Sequence, residues 1–127
     1  MDKRALVTVD FNTGLELIRA LDQTGLSIEV ALWLYAPEYE DWRFVLASPR
    51  LDAEQTSEAY GLVHDSLQKA GIPLERTPSL LLMKMSDPFV RALRRVFAKT
   101  KSVEGMRLGG QQIGDRFVDD ALVYRIR

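Results

Sequence analysis

The chain has 127 residues, of which 46% are apolar and 28% charged, and its formal net charge is −1 at pH 7. This length and composition predict one globular domain over residues 1–127, with a core large enough to fold without disulfides or metals. The absence of cysteine excludes disulfides, thiolate nucleophiles and cysteine-ligated metal centres. Because Thr8 and Asp10 interrupt the first apolar run, we expect a soluble, cytoplasmic protein without a signal peptide or membrane span.

The first element with a clear period is an amphipathic helix over residues 10–23, which Gly25 ends. At 100° per residue its apolar side chains share one arc, formed by Phe11, Leu15, Leu17, Ile18 and Leu21. The preceding residues 5–9 are ambiguous, because their β-branched side chains favour a strand whereas Val7 falls in the apolar arc of the helix. We expect the helix to start near Val7.

A β-hairpin follows at residues 28–48, with a turn that carries Pro37, Glu38 and Tyr39. Both strands are apolar on both faces, so both faces of the hairpin are predicted to be covered. The chain's own helices are expected to cover the face that carries Trp42 and Phe44. The opposite face is expected to be covered by a further helix, or by a second protein molecule that buries Trp33 and Tyr35.

The second helix is predicted to run from Asp52 to Ala70, where Gly71 marks its end. Asp52 is followed three residues later by Gln55, a spacing typical of a capping box. A short apolar run at residues 79–85 then predicts a third strand.

The third helix is predicted over residues 88–99, because Asp87 is a favourable N-cap and Pro88 suits the first helical position. The glycine-rich tail predicts short strands that end with a strand at residues 121–126. The order α-β-β-α-β-α-β-β predicts an α+β sandwich in which a mixed, mainly antiparallel sheet of about five strands packs with three helices.

The third helix also carries the clearest candidate binding site. Its cations fall in one arc opposite its apolar side chains, and a further lysine extends the patch; the residues are Arg91, Arg94, Arg95, Lys99 and Lys101. Such a cluster suits phosphate or carboxylate groups and predicts binding of nucleic acid or another polyanion. The alternative is an ordinary solvated helix face, because no aromatic residue adjacent in sequence offers a platform for bases.

Two candidates lie on the second helix. Glu54, Glu58 and Asp65 form an acidic ridge that could share a hard cation, although a straight ridge lacks the convergent geometry of most ion sites. His64 is the only histidine, and no glycine signature marks a nucleophile near it. A solvated ridge and a hydrogen-bonded boundary histidine are the simpler interpretations, so no metal site is predicted.

The tail offers a third candidate in Asp115, Asp119 and Asp120, which Tyr124 and Arg125 follow. Paired acids at a strand entrance occur in metal-dependent nucleases, but the lysine that accompanies them is missing here. No phosphate-binding glycine motif occurs either. We therefore predict no catalytic residue and no cofactor.

Three hypotheses remain, and the first is a non-enzymatic interaction module that self-associates or binds a protein partner. One line of support is the hairpin that is apolar on both faces, with Trp33, Tyr35 and Tyr39 as the partner-binding residues. The other is an uneven distribution of charge, because residues 1–65 carry a net charge of −7 and residues 66–127 a net charge of +6. The second is nucleic-acid or polyanion binding through the basic helix. The third is a metal-dependent hydrolase or nuclease.

Overall fold

A computed structural model describes residues 8–127, with side chains from residue 11 onward. The helices in this part of the chain are α1 (Thr8–Gln23), α2 (Pro49–Asp52), α3 (Thr56–Lys69) and α4 (Pro88–Val96). The strands are β1 (Val30–Ala36), β2 (Asp41–Ala47), β3 (Leu80–Leu82), β4 (Arg107–Leu108), β5 (Gln111–Ile113), β6 (Arg116–Val118) and β7 (Ala121–Ile126). None of the described helices is long and apolar enough to cross a membrane.

The strands form a five-stranded sheet in the order β3-β2-β1-β7-β4 and a separate β5–β6 hairpin. Only the β2–β3 pair is parallel, because α2 and α3 carry the chain across before β3. The other three pairs in the sheet are antiparallel. The predicted α+β class is confirmed.

The sheet is covered on both faces, as the hairpin pattern predicts. The helices α1 and α3 pack on one face, where Ala31, Phe44 and Leu46 are buried. The helix α4 and the β5–β6 hairpin cover the other face, where Leu32 and Val45 are buried. The molecule therefore has three layers, all supplied by its own chain.

The aromatic residues of the first hairpin share one face, contrary to the expectation from sequence. The antiparallel register places Trp33 opposite Phe44 and Tyr35 opposite Trp42. Directly opposed residues in a sheet lie on the same side of it. All four aromatic residues therefore belong to the face covered by α1 and α3, whereas we expected Trp33 and Tyr35 on the face opposite Trp42.

The second predicted helix is interrupted, and its predicted capping box is wrong. The hydroxyl oxygen of Ser48 caps α2 by accepting a hydrogen bond from the Arg50 N–H at 3.1 Å. The carboxylate of Asp52 instead accepts a hydrogen bond from the Met85 N–H at 3.1 Å. Gln55 precedes α3 without making a side-chain cap.

The remaining predicted boundaries agree with the structure to differing degrees. Strand β7 has the predicted limits, whereas β3 is three residues long and α4 ends at Val96. Helix α1 begins at Thr8 in the described part of the chain, and residues 5–7 of the ambiguous segment lie outside it.

Candidate nucleic-acid interface

Trp33 is buried inside the chain's own core and is only 5% exposed. Its indole Nε1–H donates to the hydroxyl oxygen of Tyr124 at 2.9 Å, and that hydroxyl donates to the carbonyl oxygen of Phe11 at 2.7 Å. The indole also packs against Phe44 at a centroid distance of 4.9 Å. The expectation that Trp33 offers a surface to a partner is therefore corrected, because α1 lies over it.

The other two predicted partner-binding residues lie nearer the surface. Tyr35 is half-buried and packs edge-on against Trp42 at 5.8 Å. Tyr39 is exposed in the turn, where the Arg43 guanidinium lies 4.1 Å from its ring centroid. The three residues thus do not form one continuous aromatic surface, and only Tyr39 is exposed.

The same turn is linked to the β5–β6 hairpin by an ion pair between Glu38 and Arg116 at 3.3 Å. A hydrogen bond to its own backbone N–H, with Arg116 close by, holds the pKa of the Glu38 carboxyl below its usual value. The carboxylate is therefore ionised at neutral pH and fixes the hairpin beside the turn.

Helix α4 presents its three arginines to solvent, but it ends at Val96, so the prediction that Lys99 lies in the same helical arc is wrong. Its first turn is fixed by Asp87, whose carboxylate accepts a hydrogen bond from the Phe89 N–H at 2.9 Å. Phe89, Val90, Ala92 and Leu93 are buried against the sheet. The opposite side of α4 and the segment after it carry five exposed cations, which we call the basic face: Arg91, Arg94, Arg95, Lys99 and Lys101.

No cation of the basic face forms an ion pair with an acidic side chain in the described part of the chain, although Glu104 lines one cleft with Lys101 and Arg127. Residues 88–103 include no aspartate or glutamate. Ion pairs between described residues involve other cations, namely Arg50, Arg107, Arg116 and Arg125. The basic face therefore retains a local positive potential that the net charge of the whole chain hides.

The basic face continues onto the end of β7. The Nε–H of Arg94 donates to the carbonyl oxygen of Arg127 at 2.7 Å. This contact joins α4 to the last described residue, whose side chain is also exposed. Arg127 therefore extends the basic face along one edge of the molecule.

The β5–β6 hairpin lies against the N-terminal half of α4. At Gly114 (φ 61°) a Cβ atom would approach Ala92 Cβ and the Pro88 carbonyl oxygen to 2.9 Å, so glycine allows this close contact. The guanidinium of Arg116 lies 5.9 Å from the ring centroid of Phe89. The hairpin is thus packed on the half of α4 that carries Arg91.

One aromatic side chain of this hairpin faces solvent, and we did not predict it from the sequence. Ile113 and Val118 point into the core that α4 covers, so the other hairpin face, with Gln112 and Phe117, points outward. Phe117 is 54% exposed. The alternation of residues 116–118 after the Gly114-Asp115 turn is the signal that could have identified it.

The acidic ridge and His64 do not form a metal site in the structure. Glu54 lies before α3 and pairs with Arg50 at 2.8 Å, whereas Glu58 and Asp65 are exposed on α3. The Nδ1 atom of His64 is buried and has no hydrogen-bond partner among the described residues. No group of three metal-ligating side chains occurs among residues 11–127.

The C-terminal acids also do not converge. Asp120 binds the Arg107 guanidinium through two hydrogen bonds of 2.8 Å, and this contact raises the pKa of Arg107. Arg125 instead turns to Asp22 at 2.8 Å, and Tyr124 is buried. The arrangement required for a carboxylate-bound metal is therefore not formed by these residues.

A β-bulge explains why Tyr124 and Arg125 both turn towards α1. Leu32 pairs with Val123 and Ala31 pairs with Arg125, which leaves Tyr124 as the extra residue. The two side chains line a cleft of about 370 Å³ beside α1, together with Arg19, Asp22 and Glu104. Because this cleft combines both charges, it lacks the uniform positive potential of the basic face.

Comparison with known proteins identifies no relative. No protein-family model matches the chain, and no curated protein or solved structure is significantly similar to it. Its function must therefore be inferred from its own surface.

Proposed function

We propose that this protein binds nucleic acid through the basic face. The observation that carries the proposal is the set of five exposed cations, which have no acidic neighbour within residues 88–103 and no ion pair with a described residue. Three of them are arginines, whose guanidinium groups bind phosphate oxygens through two hydrogen bonds at once. Nucleic-acid backbones supply such phosphates at regular spacing.

The way α4 packs supports contact with phosphates rather than with base edges in a groove. One side of α4 is buried against the sheet, so only its outer side is offered to a ligand. Exposed arginines and lysines on that side suit contacts to phosphate oxygens, which carry no sequence information directly. We therefore expect binding that depends strongly on salt and only weakly on base sequence.

The exposed acids of α3 favour one orientation of approach. Glu58 and Asp65 are exposed on α3, which covers the opposite face of the sheet from α4. A polyanion would be repelled from the α3 layer and attracted to α4. A net charge of −1 is compatible with such binding because the potential at the basic face is local.

Fluorescence anisotropy with a labelled oligonucleotide at increasing salt tests the proposal. If about four cations contact phosphates of a single strand, the logarithm of the affinity should fall with the logarithm of the salt concentration with a slope of about −3. Arg91→Glu with Arg95→Glu should weaken binding at least about tenfold and reduce the slope by about one or two. The side chains of these two arginines make no hydrogen bond to a described residue, so the variant should fold.

The matched control is Arg19→Glu with Lys69→Glu, which changes the net charge equally on the α1 and α3 layer. It should keep most of the affinity. No binding by the wild-type chain to any oligonucleotide at low salt would overturn the proposal, as would equal losses in the two double variants. Self-association remains a prediction, but Trp33 is buried and does not offer a surface for it.

A further inference from the structure

We infer that the ligand of the basic face is a single strand, one of whose bases stacks on Phe117. The inference rests on the proposed function, because the basic face must first hold the phosphates. Phe117 is 54% exposed on the outer side of the β5–β6 hairpin. An exposed phenyl ring beside a row of cations is the combination that binds single strands without sequence preference.

The hairpin that carries the ring packs on the helix that carries three of the cations. Strand β5 packs on α4, and the close approach of Gly114 to Pro88 and Ala92 fixes the distance between them. Since Ile113 and Val118 face the shared core, the ring of Phe117 points away from it, as the side chains of the basic face do. Hairpin and helix thus present the ring and the cations on one layer of the molecule.

The neighbours of Phe117 favour bases over lipid. Gln112 lies directly opposite Phe117 in the hairpin and is exposed. The Gln112 Nε2–H donates to the Gly114 carbonyl oxygen at 3.1 Å, which orients the amide and leaves its oxygen as an acceptor. The Gln112 amide beside the ring can bind a base edge, whereas its insertion into an apolar membrane layer would be costly.

The preference for a single strand over a duplex follows from access to the bases. In a duplex both faces of each base are occupied by stacking, so a side chain can stack only after a costly distortion. In a single strand the bases can turn outward while the phosphates stay on the cations. Phe117 should therefore add affinity for single strands only.

Anisotropy measurements with a labelled oligothymidine and with a duplex of equal length test the inference. Phe117→Ala should weaken oligothymidine binding about 5- to 100-fold, leave the salt slope unchanged and leave duplex binding unchanged. Leu74→Ala is the control, because Leu74 is 67% exposed on the 3₁₀ turn that precedes β3. This control should bind both ligands as the wild type does.

A second variant gives a direct readout of stacking. In Phe117→Trp the new indole should retain the affinity, and its fluorescence should be quenched when oligothymidine binds. Wild-type Trp33 and Trp42 are buried and should change little.

The outcomes separate this inference from the proposed function. If oligonucleotides bind with the expected salt slope but Phe117→Ala keeps full affinity, or if the duplex binds as tightly as the single strand, the stacking inference is overturned and the proposed function stands. If no oligonucleotide binds and the chain instead binds phosphatidylserine vesicles through Phe117, both are overturned.

Discussion

The contact between Gly14 and Tyr124 gives the sharpest test of the packing between α1 and the sheet. A Cβ atom at Gly14 would lie 2.8 Å from Cε2 of the Tyr124 ring and closer still to its Cζ and hydroxyl oxygen. The ring is buried, stacks on Phe11 at 4.7 Å and hydrogen-bonds both α1 and Trp33. Gly14→Ala must therefore displace a ring that is held on several sides.

The expected loss can be estimated from these contacts. Loss of two hydrogen bonds costs about 2 kcal/mol, and overpacking of a core costs about 1–3 kcal/mol more. Replacing glycine within a helix regains about 1 kcal/mol. We therefore expect Gly14→Ala to lower the free energy of unfolding by about 2–4 kcal/mol.

Urea unfolding followed by tryptophan fluorescence and far-ultraviolet circular dichroism measures this change. The matched control is Gly61→Ala on α3, where a Cβ atom would meet nothing within 4 Å. This control should stabilise the protein by about 0.5–1 kcal/mol. A Gly14→Ala variant as stable as the Gly61→Ala variant would refute the reasoning.

A double-mutant cycle identifies the ring as the cause. In a Tyr124→Ala background the space beside Gly14 is open, so Gly14→Ala should become neutral or stabilising. An undiminished loss in that background would mean that the destabilisation arises elsewhere.

Two further predictions concern contacts that the structure revealed. Asp52→Ala should lower the free energy of unfolding by about 1–2 kcal/mol, because the Met85 N–H loses its acceptor. Gln55→Ala should change it by less than about 0.5 kcal/mol. Equal losses for the two variants in urea unfolding would favour the capping box instead. The pKa of Glu38 is lower in the folded state than its ordinary value of 4.5. Its carboxylate therefore stabilises the folded state at pH values above that ordinary pKa, and this stabilisation is lost as the pH falls through the lower pKa of the folded state. Glu38→Gln should therefore reduce the loss of stability between pH 6 and pH 3, and identical pH profiles for the two proteins would mean that the Glu38 carboxylate is not the source of that loss.

Much of the fold could be predicted because it is encoded within short windows. The two-faced apolar hairpin, the strand at residues 121–126 and the Asp87 cap of α4 each depend on neighbouring residues alone. The arc of three arginines on α4 was predicted in the same way, since the arc of a helix follows from its period. Its exposure required only that the apolar arc be buried.

The sequence-based predictions were wrong where the outcome depends on residues that are distant in the chain. Asp52 is the predicted cap of a helix, but Met85, 33 residues away, offers an N–H that it binds instead. The side of the sheet on which Trp33 lies depends on the turn at residues 37–40, which places it opposite Phe44. Neither outcome is visible in a hydrophobic pattern, because both depend on pairing between elements.

By itself the sequence determined most of the elements, the coverage of both hairpin faces and the three arginines on the outer side of α4, because side-chain periodicity specifies what each element must bury. Only the tertiary structure decided that α1 covers Trp33 and that the β5–β6 hairpin packs on α4 with Phe117 exposed. The physical reason is that burial of Ile113 and Val118 against the core shared with α4 fixes the orientation of the whole hairpin. The Phe117 ring, which lies in a glycine-rich segment of the sequence, is thereby exposed on the hairpin that packs on α4.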